Sequence, residues 1–303
     1  MSGGKGLPLG TWIQITSDSG CGKTHLVLSI AKAICRSGRK VAYIDSEKGV
    51  NDSQLDGIGL TQFLGDKFFV YPISTYEEAE EVMDVVLGDA DSSLIVIDSI
   101  TALIPAKMLE KSVGEIEPGL KARYAGAFIE KYKAKVSMTP NKPTVIMVNQ
   151  QRVKFSGWMA STGEAGGNEQ KFYTDLRLSM KQSKKLEKNT ETFEGVEKVN
   201  YGVEDEIWCT KNRFNDPFIK YNITILFGKG VSNLAAYKRA LMSKGVLKMS
   251  GAGFWKMSIP DMEKTCRGDE ECAAMIRDNL ALVKQYVDDN GGFDVETIAP
   301  TEE

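Results

Sequence analysis

The chain has 303 residues, 42% of them hydrophobic and 26% charged, enough for one large or two modest domains with a buried core. Its one histidine (His25) argues against a histidine-built metal site or a serine–histidine triad, and five scattered cysteines (Cys21, Cys35, Cys209, Cys266, Cys272) without a CxxC pair argue against structural zinc. A formal net charge of -3 gives no bulk attraction to nucleic acid, so any such binding has to come from a local basic surface.

Reduced thiols are expected, with a bridge between Cys266 and Cys272 as the alternative. The opening Met1-Ser2-Gly3-Gly4-Lys5-Gly6 has no apolar stretch of the signal-peptide kind, and no run is long and apolar enough to span a membrane. The first strand is expected from Thr11 to Ile15. It runs into Thr16-Ser17-Asp18-Ser19-Gly20-Cys21-Gly22-Lys23-Thr24, and an apolar-periodic helix follows from Lys23 to Arg36. Strand, glycine loop, Lys-Thr and helix in that order are the layout of a phosphate-binding P-loop. Backbone N–H groups curl around a polyphosphate, the glycines let the backbone approach, and the helix adds its own free N–H groups and dipole. Lys23 is then placed for the β- and γ-phosphates, and Thr24 for Mg²⁺. One position departs from the motif: Ser17 stands where its first glycine belongs. The bland alternative is a plain strand–turn–helix with a chance Gly-Lys-Thr.

Further strands are expected at Val41 to Ile44, Phe68 to Tyr71, Leu94 to Ile97 and Thr144 to Val148, with helices at Thr75 to Leu87 and Leu120 to Val136. The alternation, and strands that are continuously apolar, predict an α/β fold with a mostly parallel sheet covered on both faces. Three of these strands end in polar residues at the edge where such sheets bind ligands. Asp98 ends Leu94 to Ile97 and suits a metal-bound water, or else Asp98 or Ser99 is the N-cap of a helix directly after it. Glu47 follows Val41 to Ile44 and suits the orientation of an attacking water, or is a solvated loop acid. Asn149 and Gln150 end the fourth strand; either can sense a γ-phosphate, or the pair is only a turn.

Beyond Asn149 the pattern changes. Gln151 to Asn168 is rich in Gly, Ser, Thr and Ala around Phe155 and Trp158, and is expected to be a mobile functional loop. Antiparallel strands are expected at Phe172 to Met180, Glu206 to Thr210 and Tyr221 to Phe227, with a charged linker from Lys184 to Glu194. Lys211 and Arg213 flank Asn212, and five basic residues load the Leu120 to Val136 helix, which is more often a solvated face than a site. The expected division is a core at 1–231, a small α+β module at 232–287 and an acidic tail at 288–303. The module has a helix from Leu234 to Ser243, strands near Val246 to Met249 and Phe254 to Met257, and one helix from Glu271 to Val287. The tail holds six acids and no base and is expected to be unstructured.

These residues, in this order, resemble the RecA-type recombinases, including the phage members of the UvsX kind. The series is Gly6-Leu7-Pro8-Leu9-Gly10, the P-loop, Tyr43-Ile44-Asp45-Ser46-Glu47, and Val96 to Pro105. It continues through Gly119-Leu120-Lys121-Ala122-Arg123, Val148 to Lys154, Gly166 to Tyr173, Lys211-Asn212-Arg213 and Phe227-Gly228-Lys229-Gly230. A P-loop alone is shared by many ATPases; a strand ending in Asn-Gln, followed by a loop that closes on Gly-Gly-Asn, is far more specific.

The resemblance implies an ATP-dependent recombinase that forms helical filaments on single-stranded DNA, pairs it with a homologous duplex, and works in a bacterial or phage-infected cytoplasm, with single-strand-binding or loader proteins as further partners. It implies a nucleotide site from Ser17, Asp18, Ser19, Gly20, Cys21, Gly22, Lys23, Thr24, His25, Gln54, Asp98 and Phe227, with Mg²⁺ on Thr24 and Asp98. Glu47 is implied to activate water, and Gln150 to sense ATP and couple it to the loop after it. Lys211 and Arg213 are implied to reach ATP held by the neighbouring subunit. Two loops, Glu110 to Pro118 and Gln151 to Gly167, are implied to hold DNA. Arg123, Arg152, Lys154 and Lys171 would sit on phosphates, Trp158 or Met159 between base triplets, and Gly166, Gly167 and Asn168 at the loop closure.

Four departures shape further expectations. The family's opening helix and strand have no counterpart before Thr11, which predicts subunit contacts through other surfaces unless the chain starts late. Ser17 replaces a glycine and Gln54 an adenine-stacking tyrosine, which predicts weaker or less adenine-selective binding. Glu130 stands where bacterial members carry a basic residue. The segment Lys184 to Val203 is longer than theirs. The alternatives are a ring-forming ATPase of helicase type and a non-hydrolysing, ATP-binding accessory subunit.

Overall fold

The computed structural model describes residues 7–115, 117–156, 159–164, 172–192, 195–251, 253–293 and 296–297. The first half alternates strands and helices: β1 (Trp12–Ser17), α1 (Lys23–Arg36), β2 (Lys40–Asp45), α2 (Asp52–Ile58), β3 (Phe68–Tyr71), α3 (Tyr76–Gly88), β4 (Ser92–Asp98), α4 (Leu120–Met138) and β5 (Thr144–Ser156). Then come β6 (Met159–Glu164), β7 (Leu176–Thr192), β8 (Gly195–Asn212), β9 (Ile219–Leu226) and β10 (Gly230–Val231). The main sheet runs β10-β9-β8-β7-β1-β5-β4-β2-β3. Its strands are parallel from β7 to β3, while β8, β9 and β10 are antiparallel additions at one side. This is the expected α/β class.

Alternation along the central strands fills both faces. Ile13, Ile15, Val41, Tyr43, Leu94 and Val96 join the core under α1 and α2. Trp12, Ala42, Ile44, Ile95 and Ile97 join the core under α3 and α4, with Met83, Phe128 and Tyr132. Continuous apolar strands are what a doubly covered sheet needs. Helix α3 opens on a capping box, Thr75 accepting from Glu78 N while the Glu78 carboxylate accepts from Thr75 N.

The chain continues with α5 (Asn233–Ser243), β11 (Leu247–Ser250), β12 (Phe254–Ile259), β13 (Met262–Arg267), α6 (Gly268–Asp278), α7 (Leu280–Asp289) and β14 (Glu296–Thr297). Strands β11 to β13 form a separate antiparallel sheet whose buried Trp255, Met257 and Ile259 meet Leu241, Ile276 and Val283.

Several expectations need correction. The segment read as a mobile loop contains a backbone hairpin, Gln151 to Ser156 of β5 pairing antiparallel with Met159 to Glu164 of β6. The Lys184 to Glu194 linker is largely strand, because β7 and β8 pair from Leu176↔Asn212 out to Thr192↔Gly195. Strand β13 was missed because its Glu263-Lys264-Thr265 centre has no apolar alternation to detect. The single last helix is two, α6 and α7, broken at Asn279, whose side chain donates to Met275 O and accepts from Lys264. The tail is not unstructured from its start. Asp288 and Asp289 finish α7, the Phe293 ring lies 5.2 Å from that of Tyr237, and Glu296–Thr297 pair with Lys220 and Ile219 of β9. Among the described residues no helix is long and apolar enough to cross a membrane.

Candidate active site

Strand β1 delivers the phosphate loop to the carboxyl edge of the sheet. Gly20 (φ 85°) and Gly22 (φ 69°) make the curl in the left-handed region. A Cβ on Gly22 would lie 2.7 Å from Ile225 Cδ1, so space and backbone both demand glycine there. Ser17 makes no such demand: it ends β1 at ordinary φ and is fully buried. Lys23 Nζ donates to Ser17 Oγ at 2.8 Å, Ser17 O at 3.1 Å and Asp18 O at 2.9 Å, and the Ser17 hydroxyl donates to Asp18 O at 2.7 Å. The serine therefore adds an acceptor for the P-loop lysine without disturbing the curl. Burial lowers the Lys23 pKa, opposed by Cys21, Asp98, Glu47 and Asp18.

Thr24, in the first turn of α1, donates to Asp98 Oδ2 at 2.8 Å, and Tyr43 donates its hydroxyl to the same oxygen at 2.6 Å. Burial raises the Asp98 pKa and the Glu47 and Asp45 charges add to that, while the bonds from Tyr43 and Thr24 pull it down. Among the described residues no cluster of three acidic or other ligating side chains forms here, but Asp98 and the Thr24 hydroxyl are hard-oxygen donors side by side, and such a pair fits Mg²⁺, which keeps several waters.

Glu47 lies in the turn after β2. Its Oε1 accepts from Ser99 Oγ at 2.5 Å and from Gln150 Nε2 at 3.1 Å. Ser99 is itself fixed, its carbonyl accepting from Ser46 Oγ at 2.7 Å and its hydroxyl lying 3.2 Å from Thr101 Oγ1. Tyr43, inside β2, and Ser99, directly after β4, hold the Asp98 and Glu47 carboxylates, a role that sequence reasoning gave to neither. Gln150 and Asn149 alternate, as neighbours on a strand must: Asn149 is wholly buried, and Gln150 reaches the cleft.

The cleft has a volume of about 380 Å³. It gathers Lys23, Thr24, Glu47, Asp98 and Gln150 at the phosphate end, with His25, Gln54 and Phe227 also on its wall. The rings of His25 and Phe227 are 6.2 Å apart, and Gln54 Oε1 is buried without a hydrogen-bond partner among the described residues.

Lys211 and Arg213 are elsewhere. Register places Asn212 beside Leu176 and Leu176 beside Ile13, whereas the phosphate loop leaves β1 at Ser17, level with Met180. Four residues of strand are ~13 Å, so these cations lie at the opposite edge of the sheet. Lys211 Nζ donates to Phe172 O at 3.2 Å; Arg213 Nη1 donates to Asp175 Oδ1 at 2.9 Å, which Lys133 Nζ also reaches at 2.8 Å. Asp175 Oδ2 accepts from Trp12 N at 2.9 Å, anchoring the cluster to β1. Burial lowers the Lys211 pKa, and the positive charges of Arg213, Lys133 and Arg177 add to that against Asp175.

Of the residues assigned to DNA, Arg123 lies on α4 in an exposed ion pair with Glu117 at 2.7 Å, a contact easily exchanged for a phosphate. Arg152 and Lys154 lie in β5 and Met159 in β6. Trp158, Gly166, Gly167, Asn168 and Lys171 lie outside the described residues. Strand β5 carries the chain from Gln150 directly into the β5–β6 hairpin.

A family model described as the RecA N-terminal domain matches residues 1–232. Among curated relatives, Protein RecA of Paenarthrobacter aurescens is 28% identical over 281 residues, covering 92% of this chain and 76% of the relative. Protein RecA of Gloeobacter violaceus is 29% identical (93% and 72% covered), and that of Delftia acidovorans 30% identical (91% and 71% covered).

Proposed function

The chain belongs to the RecA family, and from that premise we propose that it is a DNA-dependent ATPase that coats single-stranded DNA as a helical filament and promotes strand exchange with a homologous duplex. The observation that supports this reading is the split between two sets of phosphate-binding groups. Lys23 and Thr24 stand at one edge of the sheet, and Lys211 and Arg213 at the other. One copy cannot bring both sets to one γ-phosphate. Copies stacked head to tail can, and a head-to-tail contact that does not close propagates as a helix.

In this reading the loop N–H groups from Ser19 to Thr24 take up the phosphates, and Lys23 exchanges its bonds to Ser17 and Asp18 for phosphate oxygens. Thr24 and Asp98 would hold Mg²⁺, which would supply charge neutralisation at the phosphates. Glu47 orients the attacking water and accepts its proton. Lys211 and Arg213 of the adjoining copy stabilise the charge that develops on the γ-phosphoryl oxygens. Gln150, displaced from Glu47, passes the nucleotide's presence along β5 to the hairpin. Arg123, Arg152, Lys154 and Lys171 hold DNA phosphates, and Trp158 or Met159 stacks on bases, which leaves base edges free for pairing. The corresponding setting is bacterial or phage-infected cytoplasm, with proteins that load or clear single strands as partners.

The test mixes two inactive variants. Lys23→Ala and Arg213→Ala should each lose DNA-stimulated turnover. A 1:1 mixture should recover about a quarter of the parent rate, because random neighbours pair an intact loop with an intact arginine about one time in four. A mixture as inactive as its parts would sink the shared site. Parent protein without turnover on single-stranded DNA would sink the enzyme reading.

A further inference from the structure

Strands β7 and β8 do not stop where the sheet stops. Strand β1 leaves the flank of β7 at Met180, and β9 leaves the flank of β8 at Gly202, level with Leu186. From Glu187 to Thr192 the pair continues alone, six residues or ~20 Å, with neither outer edge paired among the described residues. Because β7 is parallel to β1, this ribbon projects from the edge that carries the phosphate loop.

A bare two-stranded ribbon is marginal in water, and this one is exposed: Glu187, Lys188, Glu197 and Lys198 face solvent. The lysines blunt its edges against random strand pairing. Its faces are less guarded, with Val199 and Tyr201 each 40% exposed. The opposite edge of the molecule, where Lys211 and Arg213 lie, is rimmed by exposed Leu9, Met138, Phe214 and Phe218. Isolated apolar side chains on a surface need no explanation; a set on each of two edges that must face each other does.

The root of the ribbon is tied to the cleft. Phe227 N donates to Tyr201 O at 3.0 Å, and Phe227 lines the nucleotide cleft beside His25. Gly202 lets the root close against β9, since a Cβ there would lie 2.5 Å from Ile225 O.

We propose that the β7–β8 ribbon is an intersubunit clamp whose partner is a second copy of this chain, gripped at the apolar edge that carries Lys211 and Arg213. The inference rests on the head-to-tail arrangement argued above. Its contact is linked to nucleotide through Tyr201 and Phe227.

Two measurements test it. In the first, Glu187–Asn200 is replaced by Asn-Gly, a turn that closes a two-residue hairpin, and assembly with a non-hydrolysable ATP analogue and single-stranded DNA is followed by light scattering. The protein concentration at half-assembly should rise about tenfold or more, since apolar contact is removed from each interface. Nucleotide affinity at concentrations too low for assembly should stay within about twofold, as no cleft residue is altered. An unchanged half-assembly concentration overturns the proposal. In the second, a photo-crosslinker replaces Lys188 in the otherwise intact chain. Crosslinks to a second copy near Phe214 or Phe218 support the clamp, and crosslinks confined to the same chain in assembled samples overturn it. Intersubunit crosslinks without recovery in the variant mixture leave the clamp standing and remove the shared active site. Recovery with normal assembly of the shortened ribbon does the reverse.

Discussion

Asp205 offers a prediction whose magnitude can be worked through. It lies on β8 between Gln182 of β7 and Ile223 of β9, fully buried, on the strand face that carries Val203 and Ile207 into the core. Neither carboxylate oxygen has a hydrogen-bond partner among the described residues. Burial pushes its pKa from the ordinary 3.8 up to about 6. The folded protein therefore binds this proton more tightly than the unfolded chain does. The stability it contributes is complete below pH 3.8, falls as pH rises through the window up to about 6, and is gone above it. The shift corresponds to about 3 kcal/mol, of which about 1.4 kcal/mol is lost between roughly pH 5 and 7.5. Asp205→Val removes the titration and keeps a residue suited to a buried strand. Urea unfolding of both proteins across that range should show the parent weakening with pH relative to the variant by about that amount. Parallel pH profiles, or a variant less stable than the parent at neutral pH, would refute the assignment of an unpaired buried acid.

Two further outcomes concern the site. Gln150→Ala should bind ATP within about twofold of the parent yet lose the rise in single-stranded DNA affinity that ATP confers; a fluorescence titration in which that rise persists rejects the coupling role. Gly22→Ala should abolish phosphate binding and lower stability by about 1–2 kcal/mol from its left-handed backbone alone. Adding Ile225→Val, which deletes the Cδ1 in the way, should recover the steric part of the loss but not nucleotide binding, as read by thermal unfolding and calorimetry.

What could be read from the sequence was what local chemistry controls. The P-loop was legible because strand, glycines and helix are contiguous, and Asp98, Glu47 and Gln150 because each follows an apolar run that ends at the ligand edge. Lys211 and Arg213 were legible only through family resemblance; that they sit ~13 Å along the strand from their own loop is a matter of register, which a single sequence does not carry. The same limit hid the ribbon. Lys184 to Glu194 is too polar in sequence to read as strand, and the pairing of its described residues is long-range. Ser17 departs from the motif, and its effect on the loop is again a matter of backbone geometry. The position needs no positive φ, and the serine hydroxyl accepts from Lys23.

The geometry around Glu47 also explains why turnover and DNA binding should be linked under the proposed function. One oxygen, Oε1, accepts from both Ser99 and Gln150. Oε2 remains to hold water, but an acid with two donors on its other oxygen is a weaker base, and loss of one of them raises its basicity. Ser99 has the more firmly anchored backbone and makes the shorter bond. Its carbonyl is bound by Ser46, and the next residue, Ile100, donates its N–H to Val148 O at 3.2 Å. Gln150 is held by the longer bond and opens onto the β5–β6 hairpin, where the neighbouring core no longer supports the strand. Under the proposed function, releasing Glu47 for chemistry therefore displaces a side chain whose backbone leads to the segment proposed to face DNA. Hydrolysis without movement of that segment would require Ser99 to yield instead, so Ser99→Ala should leave the DNA response of turnover intact while Gln150→Ala removes it.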